Sequence, residues 1–211
     1  GAYRIELSIG CIVLIAVALF AAYQGGYIFA TFVAAASVMI FYEWRRIVAG
    51  WGFGWKALGF IYALVPALAL LWIRDRAPHG LEMLIWVFIV TWSTDIGAYF
   101  AGRAIGGPKL APRISPNKTI AGLAGGVLSA ALAGYAWADA FSLSGALFWM
   151  APLFAVAAQG GDLFESWMKR KAGVKDSGNW LPGHGGALDR LDGLVVVATL
   201  TAAAHIAGML T

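Results

Sequence analysis

The sequence predicts an all-α, polytopic integral membrane protein with about seven transmembrane helices. Three observations carry this. Hydrophobic residues make up 61% of the 211-residue chain and charged residues only 12%, where a soluble domain carries roughly 25% charged residues. Apolar stretches of the ~20-residue length that crosses a bilayer recur along the whole chain. Lys and Arg gather in the breaks between alternate stretches, the asymmetry that sets orientation in a membrane.

The first stretch spans roughly 6–23. No signal-peptidase-like site follows it and six more stretches do, so it reads as a true span and not a removed signal. It holds the single Cys11, which excludes an intramolecular disulfide. Gly1 is not an initiator methionine, so the natural start is expected to be trimmed or replaced by a cloning scar. "QGG" at 24–26 leads into a second span, 27–43, and a third follows at 56–73. "RDRAPHG" at 74–80 separates it from the fourth, 83–101. A long basic loop, "GRAIGGPKLAPRISPNKT" at 102–119, precedes the fifth span at 120–138. "DAFSLSG" at 139–145 precedes the sixth, 145–168. A second long polar loop, 169–189, leads into the last, 190–210. These spans use up most of the chain, so one membrane-embedded domain, 1–211, is expected, without internal repeats.

Placing the N-terminus inside and alternating puts Arg4, Arg45, Arg46, Lys56, Arg103, Lys109, Arg113, Lys118, Lys169, Arg170, Lys171, Lys175 and Arg190 in the cytoplasm and only Arg74 and Arg76 outside. Both long loops then face the cytosol, and whatever they bind comes from the cytosol or the inner leaflet. The net charge of +4 is mostly this positive-inside bias, and nucleic-acid binding is not expected.

A charged group inside a span costs roughly 2.5–3.5 kcal/mol even on the lenient insertion scale, so acids at membrane depth require a reason. Asp95, in "TWSTDIGAYFAGR", is read as lining a polar cavity, the alternative being burial against a neighbouring helix's Lys or hydroxyl. Asp162, Glu165, Ser166 and Lys169 share one helix face by their spacing; an interfacial network of the Asp162–Lys169 type remains open. Asp189 and Asp192 open the last span, where acids favour a helix N-terminus, so capping remains open too. Together the acids suggest a divalent-cation site of the Mg²⁺ kind, with one or two carboxylates completed by substrate phosphates. One His without a neighbouring Cys argues against structural zinc. Nearby Lys, Arg and Gly suit phosphate groups, while a Walker-type loop is absent from the sequence.

The run from Ser166 to Asp192 resembles the signature of the phosphatidate cytidylyltransferases, or CDP-diacylglycerol synthases. The matching residues are Ser166, Met168, Lys169, Arg170, Lys175, Asp176, Gly178, Leu181, Pro182, His184, Gly185, Gly186, Asp189, Arg190, Leu191 and Asp192. Ala187 departs from the larger apolar residue usual there. The upstream loop is similar too, through Asp95, Lys109, Arg113, Ser115, Pro116, Lys118 and Thr119. Resemblance spans roughly 91–193, which makes 91–211 the expected catalytic core and 1–90 generic N-terminal spans. Family members usually have a longer N-terminal part.

The resemblance implies CMP transfer from CTP to phosphatidic acid, giving CDP-diacylglycerol and pyrophosphate at a cell membrane, the bacterial inner membrane by analogy. It implies Mg²⁺, joined in a paired centre by a monovalent ion such as K⁺, with Asp162 and Asp189 as the metal ligands and Asp192 in support. Lys169, Arg170 and Lys175 are expected to hold CTP or pyrophosphate. Ser115, Lys118 and Thr119 are expected to hold the other phosphate, on the lipid side. Asp95, Lys109, Arg113, Ser166, Asp176, Gly185, Gly186 and Arg190 complete the expected substrate contacts. His184 either contacts a phosphate or shapes its loop. Trp92, Trp149, Trp167 and Trp180 are read as interface anchors or packing, and a homodimer is allowed. Two rivals stand beside this reading: a CTP-dependent polyprenol or lipid kinase, and an ion-coupled transporter.

Overall fold

The computed structural model describes residues 2–178 and 185–210, with side chains from Val13 onward. Among them seven helices follow one another: α1 (Ala2–Gln24), α2 (Gly26–Ile47), α3 (Phe53–Arg74), α4 (Gly80–Ala104), α5 (Ile120–Ala140), α6 (Leu147–Lys171) and α7 (Leu188–Ile206). The chain is thus an all-α membrane protein. Five helices, α2 to α6, are long and apolar enough to cross a bilayer. Helix α7 has 19 residues, and Asp189, Arg190 and Asp192 take up its first turns.

Helix α4 is the central post. Leu84, Trp86, Val87, Phe88, Val90, Thr91 and Thr94 are all buried on it, and a helix apolar around its circumference belongs inside. Helix α5 lies close against it because the seam between them is built of small residues. A Cβ added at Gly97 would stand 2.6 Å from the Gly125 carbonyl oxygen, and one at Gly126 would stand 2.7 Å from that of Thr94. In lipid, where apolar tails compete equally for apolar surface, such close backbone approach is what holds helices together. The Trp86 indole N–H donates to the Gly134 carbonyl at 3.1 Å across the same seam. Hydroxyls at Thr91, Ser93, Thr94, Thr199 and Thr201 donate back to carbonyls four residues earlier, so these polar groups are satisfied within their own helix.

A second core joins α2, α3, α6 and α7 through Ile40, Trp44, Ile47, Ala63, Met168, Leu188 and Val195. The outer surface is apolar: Val38, Phe60, Ile61, Leu68, Leu128, Leu132, Leu153 and Val156 are all exposed. A soluble monomer rarely tolerates so much; a lipid-facing bundle requires it.

The segment 102–119, expected as a loop, contains a short antiparallel ribbon instead. Strand β1 (Lys109–Ala111) pairs with β2 (Ser115–Thr119), Lys109 opposite Thr119 and Ala111 opposite Ser115. Pro116 lies in β2, a place open to proline because each strand of a two-stranded ribbon has a free edge. The ribbon runs straight into α5, where the Thr119 hydroxyl accepts from the Gly122 N–H at 3.0 Å as N-cap. Contacts described below gather this ribbon with the C-terminal ends of α2, α4 and α6 and the N-terminal ends of α3 and α7.

Candidate functional site

Helix α6 carries two polar clusters, one on each side of its last turns. The first faces α4, α5 and β2. Lys118 reaches from β2 into an ion pair with Asp162 and donates to Gln159 Oε1 at 2.8 Å. Gln159 turns its amide N–H toward Asp95 Oδ1 at 3.5 Å, and Ser166 donates to Asp162 Oδ1 at 3.3 Å. These groups border a cleft of about 550 Å³ with Asp95, Tyr99, Arg103, Lys118, Gln159 and Asp162 in its wall. That size suits a nucleotide-class ligand or a lipid headgroup. Asp95 thus lines the cleft.

The second cluster faces α7 and α2. Lys169 pairs with Glu165 at 3.0 Å and with Asp189, so an Asp162–Lys169 network does not form: the two residues serve different clusters. The other oxygen of Asp189, Oδ2, accepts from the Gly186 N–H at 2.9 Å, the Ser177 N–H at 3.0 Å and the Ser177 hydroxyl at 3.0 Å. Asp189 therefore binds the chain that leads into α7 rather than capping the helix itself; the N-cap residue is Ala187, which has no side-chain cap bond. Asp192, one turn into α7, accepts from the Gly193 N–H at 2.7 Å.

Of the other sequence candidates, Lys109, Arg113, Lys175, Asp176 and Arg190 are exposed. Arg170 donates to the Ile114 carbonyl at 3.3 Å and ties the end of α6 to the ribbon turn. Ser115 takes part in ribbon pairing, and Thr119 is occupied as the cap of α5 while still lining the cleft. Gly185 has φ +81°, a left-handed conformation that glycine adopts freely. His184, with Trp180, Leu181 and Pro182, lies outside the described residues. Trp167 joins Trp51 and Trp55 around the Lys171 ammonium, 4.6 to 5.7 Å from the three ring centroids, a cation–π cage at the same end of the bundle.

Two residues of these clusters escape the sequence reading. Gln159 is the lone amide in "AVAAQGGD". Glu43, fully buried on α2, accepts from Ser177 Oγ at 2.8 Å and from the Ala187 and Leu188 N–H groups at 3.0 and 2.8 Å. An acid at the very end of the second span, just before Arg45 and Arg46, gave little signal.

The donor chemistry fits a hard cation. Asp162 and Asp189 present carboxylate oxygens, the ligands Mg²⁺ prefers, and each already attracts a lysine ammonium. Buried Glu165 is met by the Lys169 ammonium at Oε1, while its Oε2 has no hydrogen-bond partner among the described residues. No group of three or more potential His, Cys, Asp or Glu ligands gathers among the described residues, so a cation would have to be held by one or two carboxylates plus ligand oxygens.

Comparison with known proteins bears on the same region. A family model described as "Cytidylyltransferase family" matches residues 49–207, starting well upstream of the motif-based resemblance at 91. The phosphatidate cytidylyltransferase of Brucella suis is 47% identical over 172 residues, covering 80% of this chain and 61% of the relative. That of Bacillus subtilis is 43% identical over 151 residues, 68% of this chain and 55% of the relative. That of Pseudomonas aeruginosa is 38% identical over 161 residues, 74% and 59% respectively. The chain thus spans about 61% or less of these relatives' length.

Proposed function

The chain belongs to the cytidylyltransferase family, and from that premise we propose that it transfers CMP from CTP to phosphatidic acid, releasing pyrophosphate and forming CDP-diacylglycerol. The observation that carries this reading is the pair of lysine-matched carboxylates on either side of the end of α6: Asp162 with Lys118 in the cleft of α4, α5, α6 and β2, and Asp189 with Lys169 at the start of α7. Phosphoryl chemistry requires little covalent help from protein; positioning and charge neutralisation carry the rate. The phosphate of the lipid is already anionic, so no strong general base is required.

Each residue has a part in that scheme. Lys118 neutralises a phosphate oxygen in the cleft, moving its ammonium a short way from Asp162. Gln159 holds Lys118 from the side and keeps it aimed. Lys169 fixes the orientation of Asp189, and the glycine-rich approach to α7 supplies backbone N–H groups. The exposed cations Lys109, Arg113, Arg170 and Lys175 raise the local concentration of the anionic substrates. Mg²⁺ held by Asp162 and Asp189, with K⁺ as a second ion, would supply charge neutralisation at the reacting phosphates. On this reading the end of the bundle that carries the site faces the cytoplasm at a cell membrane, which the Lys and Arg distribution supports, and the cleft opens toward the inner leaflet. There the acyl chains of the lipid stay among the exposed apolar side chains.

The test is product analysis with purified protein, phosphatidic acid in mixed micelles, Mg²⁺ and CTP labelled separately at the α- and γ-phosphates. The expected result is α-label in the lipid product and γ-label in pyrophosphate. Transfer of γ-label to lipid would establish a kinase instead, and absence of turnover would favour a transporter.

A further inference from the structure

Glu43 lies upstream of the segment matched by the family, 49–207, yet its carboxylate bonds Ser177, Ala187 and Leu188 of the signature run. It is fully buried, on the second helix, among Ile40, Trp44 and Ile47. A carboxylate in such a place is costly unless its oxygens are well bonded. Here they are. Oε2 accepts from the Leu188 N–H and the Ser177 hydroxyl, both at 2.8 Å, and Oε1 accepts from the Ala187 N–H at 3.0 Å. Ala187 and Leu188 start α7, and first-turn N–H groups have no acceptor within their own helix. No side chain of α7's own N-cap serves them. Glu43 does so from another helix, with its negative charge at the positive end of the α7 dipole.

Asp189 stands on the same short stretch. Its Oδ2 shares the Ser177 hydroxyl with Glu43 and takes the N–H groups of Ser177 and Gly186. Glu43 and Asp189 therefore grip the same chain from two sides, and the space between them is filled. A Cβ at Gly186 would collide with both Ser177 Oγ and Glu43 Oε2, and one at Gly178 with Glu43 Oε1. This gives a local reason for glycine at Gly186 that involves no substrate.

We propose that Glu43 is a positioning residue for the reaction: it caps α7 from α2 and anchors Ser177, Ala187 and Leu188, so that Asp189 is held toward Lys169. This rests on the proposed cytidylyl transfer for its kinetic consequence, but not for its structural one. The two are separable by experiment. Amide exchange followed by mass spectrometry on detergent-purified protein should show slow exchange for the peptide containing Ala187 and Leu188. Rapid exchange there in the unsubstituted protein overturns the proposal without any variant being made. In Glu43→Gln, and more so in Glu43→Ala, that peptide should exchange at least tenfold faster, while peptides from α4 and α5 exchange as before. In the same variants, kcat for CDP-lipid formation should fall at least tenfold, with KM for CTP within about threefold, because the cleft around Lys118 is untouched. Unchanged exchange or unchanged kcat overturns the proposal, as does a rise in KM alone. If Glu43→Ala fails to fold, Gly186→Ala provides the second arm: it should show the same accelerated exchange, and Glu43→Gln should not worsen it further. Additive effects of the two would count against a shared anchor. Should the unsubstituted protein make no CDP-lipid, the proposed reaction fails while the exchange results still decide the anchor.

Discussion

Asp162, Asp189 and Lys118 are the residues on which the proposed chemistry turns. Asp162→Asn and Asp189→Asn preserve shape and remove charge, and each should lower CDP-lipid formation by at least a hundredfold in the product assay. Asp189→Asn separates this role from a merely structural one, because an Asn oxygen can still accept from the Ser177 and Gly186 N–H groups and would leave activity intact if holding the chain were all. Lys118→Ala should lower activity at least tenfold while shifting the melting temperature little. Its ion pair with Asp162 is partly solvent-exposed, and such pairs contribute only about 0–1 kcal/mol. Activity within twofold of the parent would remove β2 from the site. These residues were legible in the sequence because a dense motif names them and because acids at membrane depth demand an explanation. Glu43 was not, for a physical reason. Its partners lie 134 and 145 positions away, and a single acid beside Arg45 and Arg46 looks like the ordinary edge of a span. Only folding brings α2 against the start of α7.

Among the elements, the helices were readable from apolar length alone, and their observed bounds extend the expected spans by a few residues at most ends. The ribbon was not readable. Its strands have three and five residues, carry prolines at or beside them, and show no alternation of polar and apolar positions. What makes them strands is the reversal at 112–114, closed by the Ile114 N–H on the Ala111 carbonyl at 3.1 Å. The cap where the ribbon joins α5 gives a further test. Thr119→Ala should cost about 1 kcal/mol, the usual loss for an N-cap, and Thr119→Ser should restore most of it in thermal denaturation. The α4–α5 seam gives another. Gly126→Val forces a side chain against the Thr94 backbone, and overpacking of that kind costs about 1–3 kcal/mol. Because Asp95, Thr119 and the cleft hang on those two helices, cleft-dependent activity should fall with stability in this variant.

For the molecule as a whole, the decisive quantity is the uneven distribution of its cations. Impermeant thiol reagent should label Asn117→Cys, in a background lacking Cys11, only after the cytoplasmic face of the membrane is opened. Labelling from the outside of sealed cells would reverse the proposed orientation and with it the source of CTP. The bundle has a further property as a catalyst. Its exposed Leu, Val, Ile and Phe side chains keep it, and on the proposed reaction its lipid partner, confined to one thin sheet. Encounter is then a two-dimensional event, governed by how crowded the sheet is with phosphatidic acid and not by how much of it the test tube holds. Adding inert detergent at constant total phosphatidic acid should therefore slow turnover in proportion to the falling mole fraction, while the same dilution leaves the dependence on CTP, which arrives from water, unaltered.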